Sequence, residues 1–159
     1  NIYQKIKKIN SNVAFSSDFI IGYPGEKDKD FNDTLNLINK IKFINSYSFI
    51  FSPRPGTIAA NLKMNDESIS NNRLKIIQNQ LFKNQINRNK SLEGRIVNVL
   101  VENKMKDKIK LFGRTEFMTS VIFDGGNENI GKIVKVKISG SNQNSLFGEL
   151  LNNEDKQVA

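Results

Sequence analysis

Two short runs hold the side chains best placed to do chemistry. Asp18–Glu26, DFIIGYPGE, is an apolar strand-like stretch that runs into a Gly-aromatic-Pro-Gly-acid turn. Ser52–Thr57, SPRPGT, follows the strand-like YSFIF and sets Arg54 between two of the chain's three prolines. Gly22 lets a ligand approach the backbone beside Tyr23, Pro24 stiffens the turn, and Glu26 suits a ligand hydroxyl or ammonium. The same residues also fit a tight turn whose acid starts the next helix. The prolines restrict the backbone around Arg54, which lowers the entropy lost when its guanidinium engages a phosphate, carboxylate or base edge. The competing role for Arg54 is a structural ion pair with Glu26 or Asp18.

A second group is cationic. Lys108, Lys110 and Arg114 fall along one β-rich run, Lys135 and Lys137 along another, and alternation puts the lysines of each run on one face. Such a face either binds nucleic acid or is an ordinary solvated surface. The stretch Arg73–Lys90 carries Arg73, Lys75, Lys83, Arg88 and Lys90 with no acid. The formal charge is +8, with 14 Lys/Arg against 7 Asp/Glu in residues 1–90 and 9 against 7 in 91–151. RNA is the natural partner for that balance, and a lysine-biased surface is the plain alternative.

Composition also excludes chemistry. The chain has no Cys and no His. It can supply no disulfide, thiolate nucleophile, Cys/His zinc site or histidine base. No apolar run approaches the roughly 18 residues of a spanning helix, and no signal-like segment opens the chain. A cytoplasmic setting without membrane contact is the expectation. The start at Asn1, inside a helix-like stretch, is expected to mark a piece of something longer.

The elements that must position these residues fall into two halves. Residues 1–90 alternate: a helix over IYQKIKKI, a strand over VAFSSDFIIG, a helix over KDFNDTLNLINKIKF with Phe31, Leu35, Ile38 and Ile41 on one face, and a strand over SYSFIF. Strand, helix, strand over this length predicts a βαβ unit with parallel strands, so both loops above would open at the same sheet end and Arg54 and Glu26 would flank one cleft. A long polar helix from about Asp66 to Lys90 should pack through a stripe of Ile69, Arg73, Leu74, Ile77, Leu81 and Gln85, leaving its basic face open. Residues 91–151 hold five short β-rich runs, with Val97, Val99 and Val101, and then Val134, Val136 and Ile138, at alternate positions. They predict a small antiparallel barrel. Residues 152–159 are expected to be a flexible tail.

Taken in order, DFIIGYPGE, SFIFSPRPGTIAANL, LFGRTE and IGKIVKVKISGSNQNSLFGEL resemble the C-terminal half of the MiaB-type tRNA methylthiotransferases, a radical S-adenosylmethionine (SAM) family. The resemblance runs from about Val13 to Leu151. It implies α/β plus all-β architecture: residues 1–90 as the end of a partial (βα) radical-SAM barrel with its connecting helix, and residues 91–151 as a TRAM RNA-binding β-barrel. It implies that the whole enzyme adds a methylthio group to C2 of isopentenyladenosine beside the tRNA anticodon, using SAM and [4Fe-4S] clusters. Gly22, Tyr23, Pro24 and Glu26 would edge the SAM pocket. Arg54, Arg73, Lys108, Lys110, Arg114, Lys135 and Lys137 would face the tRNA anticodon stem-loop. The family's CxxxCxxC motif has no counterpart here, so this chain alone should be inactive and should depend on an N-terminal portion of the same enzyme. The alternatives are a non-catalytic RNA-binding module and a sister methylthiotransferase with another substrate.

Overall fold

The computed structural model describes residues 1–105 and 110–151. The chain divides into two compact units at Asn84/Gln85. The first contains α1 (Ile2–Ile9), β1 (Asp18–Ile21), α2 (Asp28–Ile41), β2 (Tyr47–Ile50), a short 3-10 turn (Ile58–Asn61) and most of α3 (Glu67–Lys90). Strands β1 and β2 pair in parallel, Asp18 opposite Tyr47 through Ile21 opposite Ile50, as a βαβ crossover requires.

Local chemistry sets the ends of α2. The Lys27 amide donates to the Asp30 carboxylate at 2.9 Å, and Asp28 and Asp30 place negative charge in the first turn. The helix stops at Lys42, which takes a left-handed conformation (φ 58°) and donates its amide to the Ile38 carbonyl. The predicted apolar face is the one that packs. Phe31 and Ile38 join Phe19 and Ile21 of β1 with Phe43, Ile77 and Leu81, and Leu35 and Ile41 pack at the edge.

The other face of this two-stranded sheet is bare. Ile20, Tyr47 and Phe49 are 59%, 66% and 54% exposed, and the Tyr47 and Phe49 rings lie nearly parallel at 6.4 Å. Parallel sheets are ordinarily covered on both faces.

The second unit is a closed five-stranded barrel built from β3 (Ile96–Lys104), β4 (Lys110–Thr115), β5 (Ser120–Asp124), β6 (Ile133–Ser141) and β7 (Ser145–Leu150). The order around it is β3-β4-β5-β7-β6. Val99, Val101, Leu111, Val121, Phe123, Val136, Ile138 and Leu146 fill the interior with Leu92. The expected purely antiparallel barrel is corrected, because β5 and β7 run parallel while the other neighbours are antiparallel. Parity demands it: strand directions cannot alternate all the way round a closed ring of five.

The barrel contains an internal repeat. Ile96-Val97-x-Val99 on β3 recurs as Ile133-Val134-x-Val136 on β6, and Leu111-Phe112-Gly113 on β4 recurs as Leu146-Phe147-Gly148 on β7. Both long strands shift register just past the repeat, at Val101/Asn103 and at Ile138/Gly140. Gly113 stands opposite Val101 and Gly148 opposite Ile138, where the neighbouring backbone comes too close to admit a side chain. The two hairpins therefore use the same device twice.

Candidate functional site

The loop after β1 is held from α3. Gly22 has φ 73° and Gly25 φ 88°, left-handed values that glycine adopts without a Cβ penalty. The Glu26 carboxylate folds back to accept the Gly22 amide at 3.0 Å and takes an ion pair from Arg73 Nη1 at 2.8 Å. The same nitrogen donates to the Glu26 carbonyl at 3.2 Å. Arg73 Nη2 reaches Asp28 at 2.6 Å, and its guanidinium lies over the Phe31 ring, 5.3 Å from the centroid. Asn65 adds donations to the carbonyls of Tyr23 (3.1 Å) and Glu26 (3.3 Å). Burial lowers the Arg73 pKa, but the hydrogen bonds and charges of Asp28 and Glu26 outweigh it and leave the pKa raised.

This arrangement changes two expectations. Arg73 is 7% exposed and its guanidinium is engaged, so it does not offer an open cation to RNA. Glu26 is spent inside the loop and does not present a free carboxylate to a ligand. The predicted stripe on α3 is also out of phase at its start. Ile69 is 48% exposed while Ser70 is buried, because the Ser70 side chain packs where any Cβ on Gly22 would stand, 2.5 Å from its Oγ.

The loop after β2 does converge with the first one. The Phe51 amide donates to the Ile21 carbonyl at 2.8 Å, and the Tyr23 ring meets Phe51 edge-on at 5.0 Å. The amide and hydroxyl of Thr57 donate to the Arg54 carbonyl at 3.2 Å and 2.8 Å, and its hydroxyl oxygen caps the 3-10 turn by accepting from the Ala60 amide at 3.3 Å. Arg54 itself is exposed. The structural ion pair considered for it is not formed: Glu26 is committed to Arg73, and Arg54 pairs with no described carboxylate. At this sheet end the groups left open are the exposed Tyr23, the backbone around Gly25 and the Arg54 guanidinium.

Among the described residues, the barrel's predicted cations lie on β4 and β6, the two strands that flank β3. Alternation turns Lys110, Phe112 and Arg114 outward on β4, Ile96, Asn98 and Leu100 outward on β3, and Ile133, Lys135 and Lys137 outward on β6. Register sets Leu100 between Arg114 and Ile133, Asn98 opposite Lys135, and Ile96 opposite Lys137. The result is an apolar pair, Leu100 beside Ile133, continued to Ile96 only across Asn98 (Ile96, Leu100 and Ile133 are 57%, 45% and 72% exposed), with Arg114 on the β4 side and Lys135 and Lys137 along β6. Arg114 makes a double contact with Glu102 at 3.0 and 3.1 Å and lies over the Phe112 ring at 5.4 Å, so part of its charge is already satisfied. Lys110 stands opposite Asp124 and Lys137 opposite Glu149 in register, while Lys135 faces Asn98. Lys108 lies outside the described residues. These exposed apolar residues were missed in the sequence, although their signal was present: Ile96, Leu100 and Ile133 occupy the outward phase of strands whose inward phase was correctly read.

Among the described residues, no group of three or more His, Cys, Asp or Glu could hold a metal ion, and no helix is long and apolar enough to cross a membrane. With no cysteine in the sequence, the donor set does not fit an iron–sulfur cluster.

Residues 90–151 match the TRAM domain family. The chain is 67% identical, over 99% of its length and 35% of the relative's, to a protein of Pelagibacter ubique (strain HTCC1062) named tRNA-2-methylthio-N(6)-dimethylallyladenosine synthase. Proteins of the same name are 44% identical in Ruthia magnifica subsp. Calyptogena magnifica, over 93% of this chain and 34% of the relative, and 39% identical in Rickettsia akari (strain Hartford), over 95% and 34%. The chain thus spans about a third of the length of the curated relatives it matches.

Proposed function

We propose, on the premise that this chain is a TRAM-containing relative of the tRNA-2-methylthio-N(6)-dimethylallyladenosine synthases, that it is the RNA-facing part of an enzyme that adds a methylthio group to C2 of isopentenyladenosine in tRNA. The observation that carries this is that similarity to those synthases runs through both units, not through the barrel alone. A free-standing RNA-binding module would need only the barrel.

The bare sheet face supports the same reading. A two-stranded parallel sheet with Ile20, Tyr47 and Phe49 in water calls for further strands and a covered second face. The remaining length of a protein of the relatives' size would supply them, completing a (βα) barrel. The loops at Gly22–Glu26 and Ser52–Thr57 then border its mouth. There the backbone around Gly25, with the Tyr23 ring, would edge bound SAM, and the uncommitted Arg54 would meet a phosphate or carboxylate. The radical chemistry would be supplied by SAM and an iron–sulfur cluster, for which this chain contributes no cysteine ligand. On the barrel, Lys135 and Lys137, with Lys110 and Arg114 on β4, would meet the phosphates of the anticodon stem-loop. Ile96, Leu100 and Ile133 would cover ribose and base surface.

Nucleoside mass spectrometry of bulk tRNA after deletion of the whole gene tests the assignment. Loss of 2-methylthio-N6-isopentenyladenosine with accumulation of N6-isopentenyladenosine is expected. An unchanged nucleoside profile refutes it, and loss of a different methylthio nucleoside assigns the chain to a sister enzyme instead.

A further inference from the structure

The basic stretch of α3 contains one buried cation, Arg73, whose contacts fall on the Gly22–Glu26 loop and on the first turn of α2. Of the groups around it, Asp28 is solvent-exposed (94%), whereas Glu26 is nearly buried (10%). The pair with Glu26 is therefore the one that water screens least. Glu26 in turn holds the Gly22 amide, and the Gly22 backbone fits against Ser70, one turn before Arg73. The loop is thus fixed through a relay from helix to carboxylate to amide. The hydrogen bonds of Arg73 go to Glu26 and Asp28, not to Tyr23 or Gly25.

We infer that Arg73 is a positioning residue: through Glu26 it locks the Gly22–Glu26 loop in the one conformation that shapes the strand-end site. The cofactor side of this role rests on the function proposed above. The lock itself does not. Lysine cannot replace it, because the guanidinium holds the Glu26 carboxylate, the Glu26 carbonyl and Asp28 with donors in a fixed fork.

Amide hydrogen exchange of this chain, read by NMR at Gly22, tests the lock directly. In Arg73→Met, exchange at Gly22 should accelerate at least about tenfold relative to the amides of Ile38 and Ile50, and Arg73→Lys should not restore it. If the first unit of Arg73→Met fails to fold, Arg73→Gln, which removes the charge and the fork but leaves Glu26 in place, is read the same way. Unchanged Gly22 exchange in a folded variant of either kind overturns the lock. A second readout concerns the site the loop shapes. In the full-length protein, Arg73→Met should raise the KM for SAM several-fold more than it lowers kcat at saturation, a split that general destabilisation would not produce. Faster Gly22 exchange with an unmoved KM would leave the lock standing and refute the placing of SAM beside this loop.

Discussion

The twin glycines of the barrel allow a quantitative test of the fold on which the proposed RNA face depends. A Cβ built on Gly113 would fall on the Leu100 carbonyl oxygen and 2.6 Å from Val99 Cγ1. On Gly148 it would fall 2.5 Å from the Lys137 carbonyl oxygen and 2.6 Å from Val136 Cγ1. Optimal separations are about 3.5–4.0 Å, so each alanine needs roughly an ångström of relief. The obstacle is backbone in the middle of a paired strand and cannot rotate away. Overpacking of this kind costs about 2–3 kcal/mol, and the matched surroundings predict that Gly113→Ala and Gly148→Ala agree to within about 1 kcal/mol. Adding Val99→Ala to the Gly113 variant should recover little, since the carbonyl remains. Gly140, in β6, has nothing within 4 Å of its would-be Cβ and no positive φ, and alanine there should be neutral or stabilising by about 0.5 kcal/mol. Urea denaturation followed by circular dichroism measures all four variants, with amide exchange at Val99 and Val136 to isolate the barrel. If Gly113→Ala is no worse than Gly140→Ala, the close approach of β3 to β4, and the repeat built on it, is wrong.

Two further substitutions test individual contacts. Thr119 is buried and its hydroxyl has no hydrogen-bond partner among the described residues, so Thr119→Val should raise barrel stability by about 1 kcal/mol in the same denaturation assay. Asp66 caps α3, and its carboxyl is held below the ordinary range by the Ser68 hydroxyl, then by the amides of Ile69 and Ser68. The unfolded chain therefore binds the proton more readily. The cap's contribution is complete above the ordinary aspartate pKa of about 4 and is lost as pH falls through the lower folded value. The difference in urea midpoint between the native chain and Asp66→Asn, followed from about pH 6 to about pH 3, should be constant at the upper end and shift against the native chain at the lower end.

The sequence disclosed what depends on local periodicity. The inward valines of β3 and β6 and the Phe31–Ile38 face of α2 were legible because period-2 and period-3.6 burial leave direct traces. The parallel β5–β7 pair left none, since it follows from ring closure and not from any residue in either strand. At the candidate site, the turn at Gly22–Glu26 was legible from Gly and Pro alone. Arg73 was misplaced because its partners, Glu26 and Asp28, lie more than forty positions away, and a run of cations looks the same whether one of them faces in or out. The phase error at Ile69 has a similar origin: the demand for a small side chain at Ser70 comes from Gly22 on another element.

The central claim is that the β4–β3–β6 face of the barrel binds tRNA through its cations. Titration of this chain with a tRNA anticodon stem-loop across a salt series measures it most directly. The account predicts affinity that falls steeply with salt, and a Lys135→Gln/Lys137→Gln variant that binds more weakly with a log–log slope shallower by roughly one to two. Affinity that stays flat across the salt series, or a double variant with the native slope, would contradict it.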